Sequence, residues 1–129
     1  MKTSFGTLIQ SYRDLIVWQR GMSLAEECYR LTLRFPRHAI YGLTAQIRRA
    51  ASSIPANVAE GVGRESTGSF IQHLCISQGS LKELETHLIL GQRVGLLEEA
   101  TLQPLLGDCE ELGKMLRGLI RSLQAKGDG

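Results

Sequence analysis

Two neighbouring arginines, Arg48 and Arg49, precede the serines Ser52 and Ser53 by one helical turn. A guanidinium group is planar and donates hydrogen bonds in a fixed fork, which matches the oxygen atoms of a phosphate. No aromatic residues alternate with these arginines, so stacking on single-stranded bases is poorly supported. The nucleic-acid contacts predicted from the sequence are Arg13, Arg20, Arg48, Arg49 and Arg64, with Lys2 as a further member of the patch.

A second interpretation of the arginine pair does not involve nucleic acid. Arg48 or Arg49 can form ion pairs with Glu83, Glu85 or Glu60, across a helix or a subunit interface. The chain has a formal net charge of only +2, which favours this second interpretation. Both interpretations remain open at the level of the sequence.

The charges are unevenly distributed along the chain. Residues 1–64 contain nine lysines and arginines against four acidic residues, whereas residues 65–129 contain six against nine. A basic half beside an acidic half can attract polyanions. It can equally pair one half with the other, within one subunit or between two.

No group of residues predicts catalysis. His73 and Cys75 are two positions apart, so on a helix their side chains point in different directions. Glu60 and Glu83 are a possible carboxylate pair, but the chain has no Glu-x-x-His repeat of the kind that binds two metal ions in a bundle. We therefore expect no enzymatic activity, no catalytic or metal site, no cofactor and no small-molecule substrate.

The composition indicates one folded domain, residues 1–129, in the cytoplasm. Hydrophobic residues make up 43% and charged residues 22%, which excludes a disordered chain. No apolar run approaches the roughly 20 residues that span a bilayer, and the first residues are a poor signal peptide. The three cysteines, Cys28, Cys75 and Cys109, lack a CxxC pairing and are expected to be small buried thiols in a reducing compartment.

Four amphipathic segments must position these residues. Apolar side chains recur at steps of three and four, as they do on the buried face of a helix. The first such stripe, predicted to face the core, is Leu15, Trp18, Met22, Ala25, Tyr29 and Thr32. The third segment carries Phe70, Leu74, Ser77, Leu81, Leu84, Leu88 and Gly91. The fourth carries Leu102, Leu105, Cys109, Leu112, Leu116, Leu119 and Leu123.

Such seams are typical of helices that pack at about 20° to one another. The predicted helices cover residues 14–34, 43–60, 66–94 and 100–123. Four helices with short connections predict an all-α fold, an antiparallel up-down four-helix bundle.

Pro55 lies in the middle of the second predicted helix. It removes a hydrogen bond and pushes against the carbonyl of Ala51, which costs about 3 kcal/mol in a helix interior. Either the helix bends and continues past the proline, or it ends there and a new short helix begins. We predict that helix two is kinked at Pro55 and that Gly61 or Gly63 ends it in the left-handed conformation.

Three stretches carry a resemblance to a known family: "RDLIVWQRGMSLAEECYRLTLRFP", "YGLTAQIRRAASSIPANVAEGVGR" and "GSLKELETHLILG" with the following "GLL". They resemble the four-helix bundle proteins encoded by intervening sequences in bacterial 23S ribosomal RNA genes. The accessory variability protein of diversity-generating retroelements is related to that family. The similarity spans roughly residues 12–123, and its central motif contains Gln46, Arg48, Arg49, Ser53, Ile54, Asn57, Ala59, Glu60, Gly61 and Arg64.

The resemblance implies a compact bundle that assembles into a homopentameric ring, in a cytosolic bacterial protein without catalytic activity. The retroelement relatives of this family bind nucleic acid and a reverse transcriptase, and this is the basis of the nucleic-acid alternative for the present chain. Apolar residues outside the main seams support self-association: Ile71, Cys75 and Ile76 in helix three, and Leu106, Met115 and Ile120 in helix four. We expect a non-enzymatic homo-oligomeric scaffold, or alternatively an accessory protein that binds structured RNA or DNA.

Overall fold

The protein is described by a computed structural model over residues 10–127, so Lys2 lies outside the described residues. Four helices follow one another along the chain: α1 Ile16–Thr32, α2 Ala45–Val62, α3 Thr67–Arg93 and α4 Glu99–Gly127. Residues 10–127 contain no β-strand. Each helix packs on the next one in the chain, and α4 also packs on α1, least closely of these pairs. The predicted all-α four-helix bundle is confirmed.

A single helical turn at Tyr12–Asp14 leads into α1. The hydroxyl of Ser11 accepts a hydrogen bond from the backbone N–H of Arg13 at 3.0 Å, and Asp14 Oδ2 accepts one from the N–H of Ser11 at 3.1 Å. This reciprocal cap satisfies backbone donors that would otherwise lack partners at a helical N-terminus. It fixes the direction from which the chain enters the bundle.

The buried face of α1 agrees with the prediction in part. Leu15, Ala25 and Thr32 are buried as predicted, whereas Met22 and Tyr29 are exposed. A second apolar stripe, which contains Val17, Leu24 and Cys28, is buried in their place. Hydrophobic spacing alone cannot choose between two such stripes on one helix, because both satisfy the same period.

The contact between α1 and α2 explains which stripe is buried. A Cβ atom added to Gly21 would lie 3.4 Å from Cβ of Pro55 and 3.5 Å from its Cδ. The missing side chain of Gly21 therefore makes room for the proline ring. Gly21 lies on the buried side of α1 together with Val17, Leu24 and Cys28, so its close contact with Pro55 favours burial of this side.

Helix α2 is continuous from Ala45 to Val62, so the helix continues past Pro55 rather than ending there. Carbonyl groups just before the proline accept hydrogen bonds from side chains. Ser77 Oγ in α3 donates to the carbonyl of Ile54 at 2.9 Å, and Asn57 Nδ2 donates to the carbonyl of Ser53 at 2.9 Å. These bonds give the backbone around the proline additional partners.

The predicted left-handed glycine at the end of α2 is wrong. Gly61 lies inside the helix, and Gly63 has a right-handed backbone with φ of −73°. Among residues 10–127, the residue with a left-handed backbone is Gly95, with φ of 85°, after α3. There the N–H of Leu96 donates to the carbonyl of Gly91 at 2.8 Å and that of Gly95 to the carbonyl of Gln92 at 3.1 Å, the hydrogen bonds of a Schellman motif.

The core follows the seams predicted for α3 and most of α4. All seven stripe residues of α3 are buried. In α4 every residue of the predicted seam is buried except Leu119, which is half-buried, and Ile120 is buried in its place. The seam returns to the predicted register at Leu123.

Candidate interaction surfaces

The guanidinium group of Arg48 is held by α1. Its Nε donates to Thr32 Oγ1 at 2.8 Å, and its central carbon lies 4.9 Å from the ring centre of Tyr29. Both partners come from the last turns of α1, so Arg48 connects the end of α1 to the beginning of α2. This cation binds the protein's own helix, which leaves less of it available for a phosphate.

The ion pairs predicted for Arg48 and Arg49 do not occur among residues 10–127. Arg49 Nη1 donates instead to Gln46 Oε1 at 3.3 Å. Glu60 pairs with Arg64 at 2.9 Å. Glu85, which was also predicted to pair with one of these arginines, forms an ion pair with Lys82 at 3.0 Å. Arg49 is exposed. An ion pair of Arg49 across a subunit interface remains a prediction.

The five predicted arginines do not converge on one patch. Arg13 stands beside Tyr12, its guanidinium carbon 5.9 Å from the ring centre, at the entry to α1. Arg20 lies two turns before Glu27 on the same face of α1, away from the stripe that contains Met22. Arg64 follows the end of α2. Arg48 contacts the last turn of α1, whereas Arg13 lies before its first turn, so the five arginines do not all lie at one end of the bundle. Their role in nucleic-acid binding remains a prediction.

An exposed apolar surface follows the outer side of α1. We call it the α1 stripe, and it consists of Trp18, Met22, Tyr29 and Leu33. Trp18 is half-buried, and Met22, Tyr29 and Leu33 are 37%, 45% and 76% exposed. The stripe borders a groove of about 390 Å³ between α1 and α2. The α2 wall of this groove consists of Ser52, Pro55, Ala56 and Ala59.

A cluster of polar side chains connects α2 to α3. Ser53 Oγ lies 2.8 Å from Ser80 Oγ, and Asn57 Nδ2 donates to Ser53 Oγ at 3.0 Å. His73 Nδ1 lies 3.2 Å from Asn57 Oδ1. Each of these four side chains has a hydrogen-bond partner within the cluster, and the hydrogen bonds help to fix the register of the two helices. The sequence signal for this cluster was the spacing of Ser53 and Asn57, four residues apart in the family motif.

The cysteines differ in their surroundings. Cys28 and Cys109 are completely buried, and Cys75 is exposed. Burial, with smaller contributions from nearby acidic groups, raises the pKa of Cys28 and of Cys109 from 9.0 to about 12. Two of the thiols are thus protonated core residues, as predicted, and the third faces solvent.

One carboxyl group on α1 is electrostatically unusual. Partial burial, and after it the neighbouring carboxylate of Asp108, raises the pKa of Glu27, and Arg30 opposes this rise.

Within residues 10–127, no three His, Cys, Asp or Glu side chains are grouped so that they could hold a metal ion. None of the helices in this range combines the length and apolarity needed to cross a membrane.

The outer face of α4 carries a row of cations that the sequence analysis missed. Lys114, Arg117 and Arg121 lie at steps of three and four and are exposed. Lys114 makes a long contact of 3.6 Å with Glu110. Lys114 and Arg117 line a groove of about 590 Å³ between α3 and α4, and Lys82 of α3 lines the same groove. The helical spacing of these residues was the available signal.

The helices, their leucine core and the exposed α1 stripe define a small four-helix bundle without a recognisable catalytic centre among the described residues. Residues 13–118 match a protein family described as 23S rRNA-intervening sequence protein. The chain belongs to this family, as its central motif predicted. The relationship to the retroelement accessory variability protein remains a prediction.

A solved structure supports the fold independently. A protein of unknown function from the S23 ribosomal protein family of Bacteroides thetaiotaomicron is similar with a TM-score of 0.73. It is 24% identical, and the alignment covers 81% of this chain and 98% of that one. At this identity the similarity shows the fold alone. No curated protein matches the chain.

Proposed function

We propose that this protein is a non-enzymatic helical bundle that assembles with itself into a homopentameric ring and acts as a cytoplasmic interaction scaffold. The observation that supports self-assembly is the α1 stripe. Its fivefold number rests on the resemblance to the family and not on the surface itself. Free thiols at Cys28, Cys75 and Cys109 are compatible with a reducing compartment.

The α1 stripe has the chemistry of an interface centre. From Trp18 to Leu33 it extends over fifteen residue steps, or about 22 Å of helix. Aromatic residues and methionine are enriched at the buried centres of interfaces, where burial stabilises the complex by about 25 cal/mol per Å² of apolar area. The groove beside the stripe provides a concave surface next to a convex one. A second copy of the chain that covers this face would remove the largest apolar side chains of α1 from water.

The mass of the protein in solution tests this proposal. Light scattering at micromolar concentration is expected to give a mass near five times the 14.2 kDa chain. Met22→Glu combined with Leu33→Glu places two carboxylates in the stripe and is expected to give a monomer with an unchanged helical circular dichroism spectrum. Leu90→Glu combined with Val94→Glu is the matched control, because these two residues are exposed and aliphatic and lie outside the α1 stripe. A monomeric wild type, or a double variant that retains the oligomer, would contradict the proposal.

A second candidate function, binding of structured RNA or DNA, is favoured by the cation row on α4. Residues 112–127 contain Lys114, Arg117, Arg121 and Lys126 and no acidic residue. Such a row can follow a phosphate backbone, although it provides no means of reading bases. The five arginines predicted from the sequence do not all lie at one end of the bundle, whereas the cations of α4 follow one helix. The row on α4 is therefore the more continuous basic surface.

A gel-shift titration distinguishes the two basic surfaces. In about 50 mM salt a structured RNA should bind, and Arg117→Ala with Arg121→Ala should lower the salt slope by about 1.4 to 1.8, the share of two phosphate contacts. Arg48→Ala with Arg49→Ala is the comparison. A loss of RNA binding confined to the Arg48→Ala, Arg49→Ala variant would assign the contacts to the arginine pair of α2 and not to the row on α4. Absence of binding at that salt concentration would reject this function.

A further inference from the structure

One end of the bundle unites three chain segments: the end of α1, the connection into α2 and the end of α3. The bond between Arg48 and Thr32 connects the first two. A Cβ atom added to Gly91 would lie 3.3 Å from Cδ2 of Leu43, so the connection also packs against the end of α3. These contacts hold the three segments at fixed positions relative to one another.

Aliphatic side chains are exposed at this end. Ile40 is 46%, Leu90 47% and Val94 60% exposed. Each lies within three residues of the contact between Leu43 and Gly91. The contact between Leu43 and Gly91 thus brings the two segments that carry them to the same end of the bundle, although fifty residues of chain separate Ile40 from Leu90.

The charge at this end is strongly positive. No acidic residue occurs between Glu27 and Glu60, and the end of α3 adds one more arginine. The arginines of these segments are Arg30, Arg34, Arg37, Arg48, Arg49 and Arg93. The acidic residues near this end are Glu98 and Glu99, where α4 begins, and Glu27 in α1, which interacts electrostatically with Arg30. Among the described residues, none of these six arginines forms an ion pair.

We propose that this basic apolar end, formed by Ile40, Leu90, Val94, Arg34, Arg37 and Arg93, binds an acidic amphipathic helix of a partner protein. The aliphatic side chains would contact the apolar face of that helix, and the arginines would bind its carboxylates. Charge complementarity selects this partner, because exposed aliphatic residues and arginines without ion pairs lie on the same segments. The site lies outside the α1 stripe and does not depend on self-assembly, although a ring would repeat it and increase avidity.

The chemistry of the site favours a peptide over other anionic partners. All six cations are arginines, whose planar forks bind carboxylates through two parallel hydrogen bonds. A nucleic-acid backbone offers phosphates but no apolar face for Ile40, Leu90 and Val94. Surface-bound membrane proteins typically present one long amphipathic helix to the lipid. Here the exposed groups come from separate segments that packing holds in place.

Fluorescence anisotropy with a designed peptide tests the proposal. The probe is a labelled helix of roughly 18 residues with leucines on one face and glutamates on the other. Its control contains lysine in place of every glutamate, and it should bind at least about tenfold more weakly, because like charges then meet. Vesicles of phosphatidylcholine and phosphatidylglycerol at roughly 3:1 and an RNA hairpin are the competing probes.

Variants of the full chain locate the binding site. Leu90→Ser with Val94→Ser and, separately, Arg37→Gln with Arg93→Gln should each weaken binding of the acidic peptide by at least about fivefold. The glutamine pair should also reduce the salt dependence of binding. Ile76→Ser, a change of an exposed aliphatic residue elsewhere on α3, should leave binding unchanged.

Several results would overturn this inference. They are failure of the acidic peptide to bind, equal binding of the lysine peptide, or wild-type affinity of both double variants. Binding to vesicles or to the hairpin but not to the peptide would assign the surface to another partner. The mass by light scattering is measured separately, so failure of this proposal and failure of self-assembly can be told apart.

Discussion

Arg48 shows how the environment of a single residue changes its expected role. In the sequence it is half of an arginine pair that suits a phosphate. In the structure it donates to Thr32 and lies over the ring of Tyr29, whereas its neighbour Arg49 contacts only Gln46. The adjacent arginines therefore have different roles: the first stabilises the junction of α1 and α2, and the second faces solvent.

Conservative replacement of the two arginines separates these roles. Arg48→Lys should lower the free energy of unfolding by about 1 kcal/mol, because an ammonium group cannot reproduce both the ring contact and the Nε hydrogen bond. Arg49→Lys is the matched control and should change it by less than about 0.5 kcal/mol. Urea denaturation provides both values. Equal effects of the two changes would contradict a structural role for Arg48.

At the scale of the elements, small residues let α2 approach both neighbouring helices. Gly21 of α1 makes room for Pro55 on one side. On the other side, a Cβ atom at Gly61 would lie 2.8 Å from Cδ1 of Phe70 and 2.9 Å from Cβ of His73. The glycine in the family motif is thus required by packing against α3 and not by the end of the helix.

Substitution of helical glycines tests this close approach. Gly61→Ala should destabilise the protein by about 1 to 3 kcal/mol, because the added methyl group meets two side chains of α3. Gly79→Ala is the matched control: nothing lies within 4 Å of its added Cβ, and alanine is the better helix former by about 1 kcal/mol. The two changes should shift the denaturation midpoint in opposite directions. A neutral Gly61→Ala would show that α2 and α3 can separate without loss of stability.

At the scale of the whole molecule, the core couples stability to pH through its two buried thiols. The pKa of Cys28 and of Cys109 is about 12 in the folded protein, against 9.0 for an ordinary thiol. Between these values the unfolded chain releases protons that the folded chain retains. Stability from these thiols is therefore fully present below pH 9 and is lost as the pH rises towards 12.

Thiol titration and alkaline unfolding measure this coupling. Near pH 8 a thiol reagent should modify only Cys75 in the folded protein and all three cysteines after denaturation. Above pH 9 the free energy of unfolding should fall by up to about 1.4 kcal/mol per pH unit for each buried thiol. Cys109→Ala should reduce this slope, and Cys75→Ser should leave it unchanged. Rapid modification of Cys28 in the native state would show that the core opens locally.

The sequence predicted α3 and α4 better than α1. Periodicity identified the buried seam of α3, although Ile71, Cys75 and Ile76 form a second apolar set on that helix. In α4 it was right at every seam position except Leu119, where Ile120 is buried instead. In α1 it was right for Leu15, Ala25 and Thr32 and wrong for Met22 and Tyr29. The buried side of α1 carries Gly21, which makes room for Pro55.

The sequence by itself determined the helical class, the number of helices and the family, because each depends on local spacing or on a long linear motif. The positions of the arginines in space and the face that α1 exposes were decided only by the tertiary structure. Both depend on which residues of different helices come into contact, and linear spacing does not contain that information. The basic apolar end is an example, because it combines residues 34–40 with residues 90–94 only after α1, α2 and α3 have packed.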